Sequence, residues 1–283
     1  MTRGRRALTL TVALLLLALG TGCAKAPDAP VITPKIAPPL IADAGVLRVG
    51  VDTSYPPFAG EDKGRQAGID VDVASALADR FGLTLELVEI SSAEAAQALA
   101  DREIDLAIAG ISITDAVGTD AVFAGSYLVN GSALFSLTVG GSSEPTGAPA
   151  FDPASLGRAR VGCQKESAAY WAIESLYGEG YAIGYSTLRE AFEALRDGDV
   201  DVVACDAIVG AYLARDFPGA VFVEQFGPAA PVGVVVASDA QELEAEVRAA
   251  LDALAVDGVL NAIRSKWVGE LPVLEATAST ASQ

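Results

Sequence analysis

The chain has 283 residues, 19 Lys plus Arg against 37 Asp plus Glu, and no histidine, for a formal charge of −18. So large an acid excess repels nucleic acid and anionic lipid surfaces, which need clustered Lys and Arg, and the missing imidazole excludes His-ligated zinc and Ser-His-Asp catalysis. With 51% hydrophobic residues the chain can bury one or two cores and is not disordered.

The first element is an export signal. Arg3, Arg5 and Arg6 precede an uncharged apolar run from Ala7 to Leu19, shorter than the ~20 residues of a membrane-spanning helix. Its end, Gly20-Thr21-Gly22-Cys23, resembles the lipobox of bacterial lipoproteins, in which small residues precede a Cys that is lipidated and becomes the new N-terminus. Leu19 stands one step further from Cys23 than that pattern has it, and ordinary cleavage before an unmodified Cys is the alternative. The reading assigns 1–22 to a signal peptide, lipid to Cys23 and 23–45 to a tether, with Pro27, Pro30, Pro34, Pro38 and Pro39 favouring extended chain. Loss of 1–22 removes three Arg and no acid, leaving 16 basic against 37 acidic residues, or −21.

Strand and helix patterns then alternate. Val46 to Val51 predicts a strand, Val71 to Phe81 a helix, Leu83 to Ile90 a strand, Ala93 to Ala100 a helix and Ile104 to Ala109 a buried strand, which implies parallel strands flanked by helices. The plan recurs. Ala95 to Asp105 and Ala191 to Asp201 share Ala, Ala, Leu, Asp and Asp at the same offsets, each runs into a hydrophobic strand, and each follows a strand ending in Val-Gly, at Val49-Gly50 and Val161-Gly162. Two α/β lobes of like topology follow, with Gly110 and Asp206 as equivalent positions just past a strand's carboxyl end, where open α/β sheets bind ligands. The last residues, 271–283, predict a disordered tail, its Ala-, Ser- and Thr-rich part from Ala276 having too little apolar content to pack.

Five segments in order resemble the bacterial extracellular solute-binding proteins, family 3, the polar amino acid receptors of ABC importers. They are Leu47 to Phe58, Gly68 to Gly82, Ile104 to Thr114, Val200 to Asp206 and Asp257 to Gly269. The resemblance implies two Rossmann-like lobes joined by two crossing strands (the type II periplasmic-binding-protein plan), with a ligand cleft between them. Lobe one would span 46–130 and 230–270, and lobe two 131–229. The family's pattern implies Asp52 and Tyr55 as polar and aromatic wall residues, with Phe58 beside them. It implies Gly110, Ser112 and Thr114 as the loop whose amides and hydroxyls meet the ligand, and Asp206 as the carboxylate facing an α-ammonium group.

Two departures bear on the ligand. Val117 stands where the family has an Arg that clamps carboxylate through a planar fork of donors. The second lobe's loop reads Gln164-Lys165-Glu166-Ser167-Ala168, with Glu166 in a Gly position and Ser167 as the only hydroxyl. With Asp52, Glu166 and Asp206 present, these changes point to a positively charged solute lacking an α-carboxylate. The alternatives are that Glu166 faces solvent at a helix start and that Lys165 bends in to replace the Arg.

The resemblance makes Cys163 and Cys205 ends of neighbouring strands, close enough for a disulfide in an oxidising compartment, though both also suit a small buried hydrophobe. It further implies a monomeric, membrane-anchored extracytoplasmic receptor with no cofactor and no metal. Its partners would be a small solute and a membrane permease; nucleic acid would not be bound, and the membrane would be met only through lipid. Two rivals stay open: a ligand-sensing or scaffold lipoprotein that has lost transport, and a dehydratase-like enzyme using Glu166 as general acid.

Overall fold

The computed structural model describes residues 33–115, 117–138, 149 and 151–276. The expected signal peptide, Cys23, the tether up to residue 32 and the tail from residue 277 lie outside the described residues.

The first lobe begins with β1 (Val46–Val51), a small hairpin of β2 (Gly60–Asp62) and β3 (Arg65–Ala67), α1 (Ile69–Phe81) and β4 (Thr84–Glu89). A single turn over Ser92–Glu94, closed by a capping box between Ser91 and Glu94, leads into α2 (Ala95–Ala100) and β5 (Leu106–Ala107). Strand β6 (Ala121–Leu137) carries the chain to the second lobe: β7 (Val161–Gln164), α3 (Ala168–Tyr177), β8 (Ala182–Tyr185), α4 (Leu188–Asp197), β9 (Val202–Asp206) and α5 (Ala207–Ala214). Strand β10 (Ala220–Ala237) returns, and α6 (Gln241–Val256) and α7 (Val259–Val268) finish the first lobe.

Sheet order is β4-β1-β5-β10-β6-β9-β7-β8. β1 runs parallel to β4 and β5, β7 runs parallel to β8 and β9, and the two long strands pair antiparallel between them. The division expected at 130/131 and 229/230 falls in mid-ladder, where Ala230 pairs with Asn130. Read from either end the order is the same, so the internal repeat has a structural counterpart. Val49 and Gly50 pair with Leu106 and Ala107, as Val161 and Gly162 pair with Val202 and Val203. The shared acid of each repeat does the same work: Asp105 accepts from the Arg48 N–H at 2.9 Å and Asp201 from the Arg160 N–H at 2.8 Å, each also meeting that residue's guanidinium. Arg102 and Gly198, equivalent in the repeat, both turn the chain with positive φ, 56° and 79°.

Alternate strand residues feed different cores. Leu106 and Ile108 join a cluster that continues through Phe135, Phe192, Val203 and Cys205, whereas Ala107 and Ala109 face a smaller cluster under α2. The same alternation decides the cysteines. Val202 and Ala204 share a face with Val161 and Cys163, and Cys205 points to the other face with Val203. Both thiols are buried and free, so the expected pairing is corrected: the strands are neighbours, but their register is one residue out and sends the side chains to opposite sides. Burial pushes the Cys163 thiol up to about 12 and holds Cys205 well above its ordinary value, leaving both as protonated core residues.

Both ends of the folded body extend past the sequence expectation. Ile36 and Ile41 are buried, and Lys35 N–H donates to the Phe81 carbonyl, so the expected tether is already packed chain over its last part. Leu271 and Leu274 are likewise buried where a disordered tail was expected. Isolated apolar residues among prolines or alanines have no periodicity for a sequence reading to detect, yet one or two are enough to dock an extended segment.

Candidate functional site

The carboxyl ends of β1, β5, β7 and β9 converge on one cleft. Asp52 follows β1, Gly110 follows β5, Gln164 ends β7, and Asp206 ends β9. Its volume is about 1440 Å³, above the roughly 300–1,000 Å³ of a usual small-molecule pocket, so a single solute fills only part of it.

Six of the nine residues singled out by sequence line this cleft: Tyr55, Gly110, Ser112, Thr114, Ser167 and Asp206. Asp206 is the N-cap of α5, its carboxylate accepting from Val209 N–H at 2.9 Å, from Asn130 Nδ2 at 2.6 Å and, across the cleft, from the Tyr55 hydroxyl at 3.3 Å. Burial raises its pKa above the ordinary value, with the bonds from Val209, Asn130 and Tyr55 pulling back. Burial, then the charge of Asp206, raises Tyr55 as well, so its hydroxyl remains a donor. The Tyr55 ring lies on Phe58, with centroids 4.7 Å apart and planes at 19°.

The loop after β5 is held by β10, with Ile113 N–H donating to Pro231 and Gly233 N–H to Ile111. Inside it the polar groups serve one another. Ser112 N–H donates to the Asp115 carboxylate at 2.9 Å, Thr114 N–H to Ser112 Oγ, and the two hydroxyls lie 2.8 Å apart. Asp115 thereby occupies an amide the family pattern assigns to ligand, and its carboxylate joins the cleft wall.

Three expected residues lie elsewhere. Phe58 is fully buried as the support under Tyr55. Asp52 is absent from the wall because its carboxylate accepts from Ser54 and from Ser92 N–H; burial pushes it up, but those bonds outweigh it and leave it below its ordinary value. Glu166 is exposed, does not line the cleft, and takes φ 61° where glycine is at ease. Lys165 does not line the cleft either; its aliphatic stem lies across Gly184 beside Tyr170. Val117 packs beside the apolar cluster under α2. No Lys or Arg lines the cleft among the described residues.

Asn130, Asp115 and Ser92 are wall residues that sequence reading missed. Asn130 interrupts the apolar run Tyr127-Leu128-Val129, but nothing in that run ties it to a cleft.

Beneath the cleft, Asp70 in the first turn of α1 is completely buried, with Tyr127 OH donating to Oδ1 at 2.6 Å and Oδ2 unpartnered. Burial pushes it to about 7; bonds from Tyr127 and the Gly110 amide oppose this, and the charge of Asp52 adds to it. Unfolded, an Asp ionises near 4. Between about 4 and 7 the folded chain therefore holds a proton that the unfolded chain has lost, so this group's stabilising contribution is full below 4 and disappears as pH rises through 7. Relative to wild type, Asp70→Asn should gain on the order of 4 kcal/mol in urea unfolding between pH 4 and pH 8. Parallel pH profiles for the two proteins would refute this.

The sequence profile of the bacterial extracellular solute-binding proteins, family 3, matches residues 47–270. The L-arginine-binding protein of Pseudomonas aeruginosa is 30% identical over 243 residues, covering 81% of this chain and 90% of that one. The cyclohexadienyl dehydratase of the same organism is 38% identical, but over 92 residues only, 32% of this chain and 34% of its own. A polar amino acid ABC uptake transporter substrate-binding protein from Streptococcus thermophilus superposes with a TM-score of 0.69 at 22% identity, covering 81% of this chain and 88% of that one. The last likeness establishes the mixed α/β periplasmic-binding-protein fold of type II.

Proposed function

The chain belongs to the bacterial extracellular solute-binding proteins, family 3, and on that premise we propose that it is the solute receptor of an ABC importer, closing its lobes on a small cationic solute that needs no α-carboxylate. One observation carries the choice of solute: the cleft offers Asp206 and Asp115 and, among the described residues, no cation. An ammonium or guanidinium beside Asp206 adds a charged donor to those from Val209 and Asn130. A carboxylate would meet Ser112 and Thr114 amides already committed to Asp115 and Ser112. The basic solute named for the P. aeruginosa relative agrees with the cationic half of this reading.

The geometry supports closure on a solute. Tyr55 and the β5 loop belong to one lobe, Asp206 and Ser167 to the other, and a solute touching both favours the state in which they approach. The receptor is held at the membrane through lipidated Cys23 and presents its closed form to a permease. Enzymatic use is disfavoured because Glu166, the acid that the sequence favours for general acid work, is exposed and outside the cleft wall.

A thermal-shift panel of agmatine, putrescine, L-arginine, L-lysine, glycine betaine and L-glutamate tests the reading. Ligand at 100 times its dissociation constant adds about 2.7 kcal/mol, so cations without carboxylate should give the largest shifts. The largest shift from L-glutamate would overturn the proposal.

A further inference from the structure

The family profile ends at residue 270, yet the chain continues as ordered structure to Ala276. Arg264 of α7 donates through Nη1 to the Leu271 carbonyl, and Leu271 and Leu274 are buried in the main core. The segment then meets the returning strand where that strand is irregular. Between Gln225, paired with Ala133, and Ala229, paired with Gly131, β10 holds more residues than β6 opposes. Phe226, Gly227 and Pro228 stand there against the single Ser132 of β6, and they bulge into the wall of the cleft.

Gln225 joins the bulge to the C-terminal segment. Its Nε2 donates to Glu275 O at 3.0 Å and to Gly227 O at 3.0 Å, while its Oε1 accepts from Glu275 N–H at 2.8 Å. Ala276 then bridges in parallel to Ala229 and itself lines the cleft. One amide side chain thus fixes both partners: the segment by two bonds in opposite directions, the bulge by one.

We infer that Leu271 to Ala276 form a strap across the crossing strands, and that Gln225 is a positioning residue which, through this strap, sets the cleft wall at Phe226–Ala229 and so the affinity for solute. The affinity part rests on the function proposed above; the positioning part does not. Phe226 to Pro228 have no ladder partner in β6; Gln225 holds them through Gly227 O, and the strap holds Gln225 on one side and Ala229 on the other. The strap is anchored in lobe one through α7 and Leu271, so the wall it steadies is referred to that lobe. A solute held between Asp206 and this wall therefore senses the strap without touching Gln225.

Hydrogen–deuterium exchange on the full chain without solute, paired with calorimetry using agmatine as probe, tests this. Gln225→Ala should speed exchange at least tenfold in peptides covering 222–232, leave β1 and β7 unchanged, and shift Tm by no more than about 2 °C, since the residue is only half-buried. Agmatine affinity should fall about tenfold. Gln225→Glu keeps the acceptor for Glu275 N–H but turns a carboxylate oxygen toward the Glu275 and Gly227 carbonyls, and should speed exchange in 222–232 at least as much as Gln225→Ala. Exchange in 222–232 indistinguishable from wild type would overturn the strap, as would unchanged affinity in Gln225→Ala alongside lost affinity in Asp206→Asn. Failure of agmatine to bind wild type would instead count against the proposed solute, and the exchange result alone would then decide the strap.

Discussion

Asp206→Asn should weaken agmatine binding about 100-fold or more while leaving the fold intact. Asn is as good an N-cap as Asp, so the Val209 N–H keeps its acceptor and α5 its start. What disappears is the negative charge in a partly desolvated wall, and removing one member of such a pair costs about 2–5 kcal/mol because the other is left without compensation. The pH dependence is a second signature. Burial holds Asp206 above its ordinary value in the empty cleft, and a bound cation favours its ionised form. Wild-type affinity should therefore decline as pH falls, starting at higher pH than an ordinary carboxylate would cause, and the decline should be much flatter in Asp206→Asn. A variant that binds agmatine within threefold of wild type would remove Asp206 from the solute's partners.

Gly68→Ala should be among the most destabilising single changes in the chain, costing about 3 kcal/mol or more in urea unfolding. A Cβ at this position, with φ 157°, would stand 2.1 Å from the Phe58 carbonyl oxygen and 2.6 Å from Ala59 Cα. Both are backbone atoms, so no rotamer change relieves the clash. The crowded loop is also the one that carries the site: Ile69 N–H donates to Pro57 and Asp70 N–H to Phe58, docking it on the start of α1, and Phe58 supports the Tyr55 ring. Gly64 is the control. Its φ is 76° but nothing lies within 4 Å of an added Cβ, so Gly64→Ala should cost only the left-handed strain of about 1–2 kcal/mol. Equal unfolding midpoints for the two variants would show that the contact at Gly68 is not the source of the cost.

Some of these features are written in the amino-acid sequence and others arise only in the folded chain. The two-lobe plan was legible because the repeat is written in residues with fixed jobs: Arg48 and Asp105, Arg160 and Asp201 hold matching strands together at matching places. Asp206 was legible because it ends a hydrophobic strand in the second copy. Asn130 and Ser92 were not, since they reach the cleft from a crossing strand and from a turn that no local pattern ties to it. Asp115 was visible as an acid, but that it would take the Ser112 amide depended on the loop's curl. Glu166 failed for the converse reason: a residue inside a motif-bearing loop faces the ligand only if φ and ψ send it there. The cysteines turn on a single step of register, which hydrophobic runs leave undetermined because both faces of these strands are buried.

The bulk acidity has a narrower meaning than its size suggests. A few of the acids sit in exposed pairs, such as Arg189 with Asp216 and Arg196 with Asp197, which contribute little to stability. The two acids that line the cleft are Asp206 and Asp115, and no Lys or Arg joins them among the described residues. Calorimetric titration of the purified chain with agmatine, L-arginine and L-glutamate under one buffer puts that balance to the test. The cleft described here predicts that agmatine binds at least as tightly as L-arginine and that L-glutamate gives no binding heat. Saturable binding of L-glutamate, with agmatine inert, would contradict it.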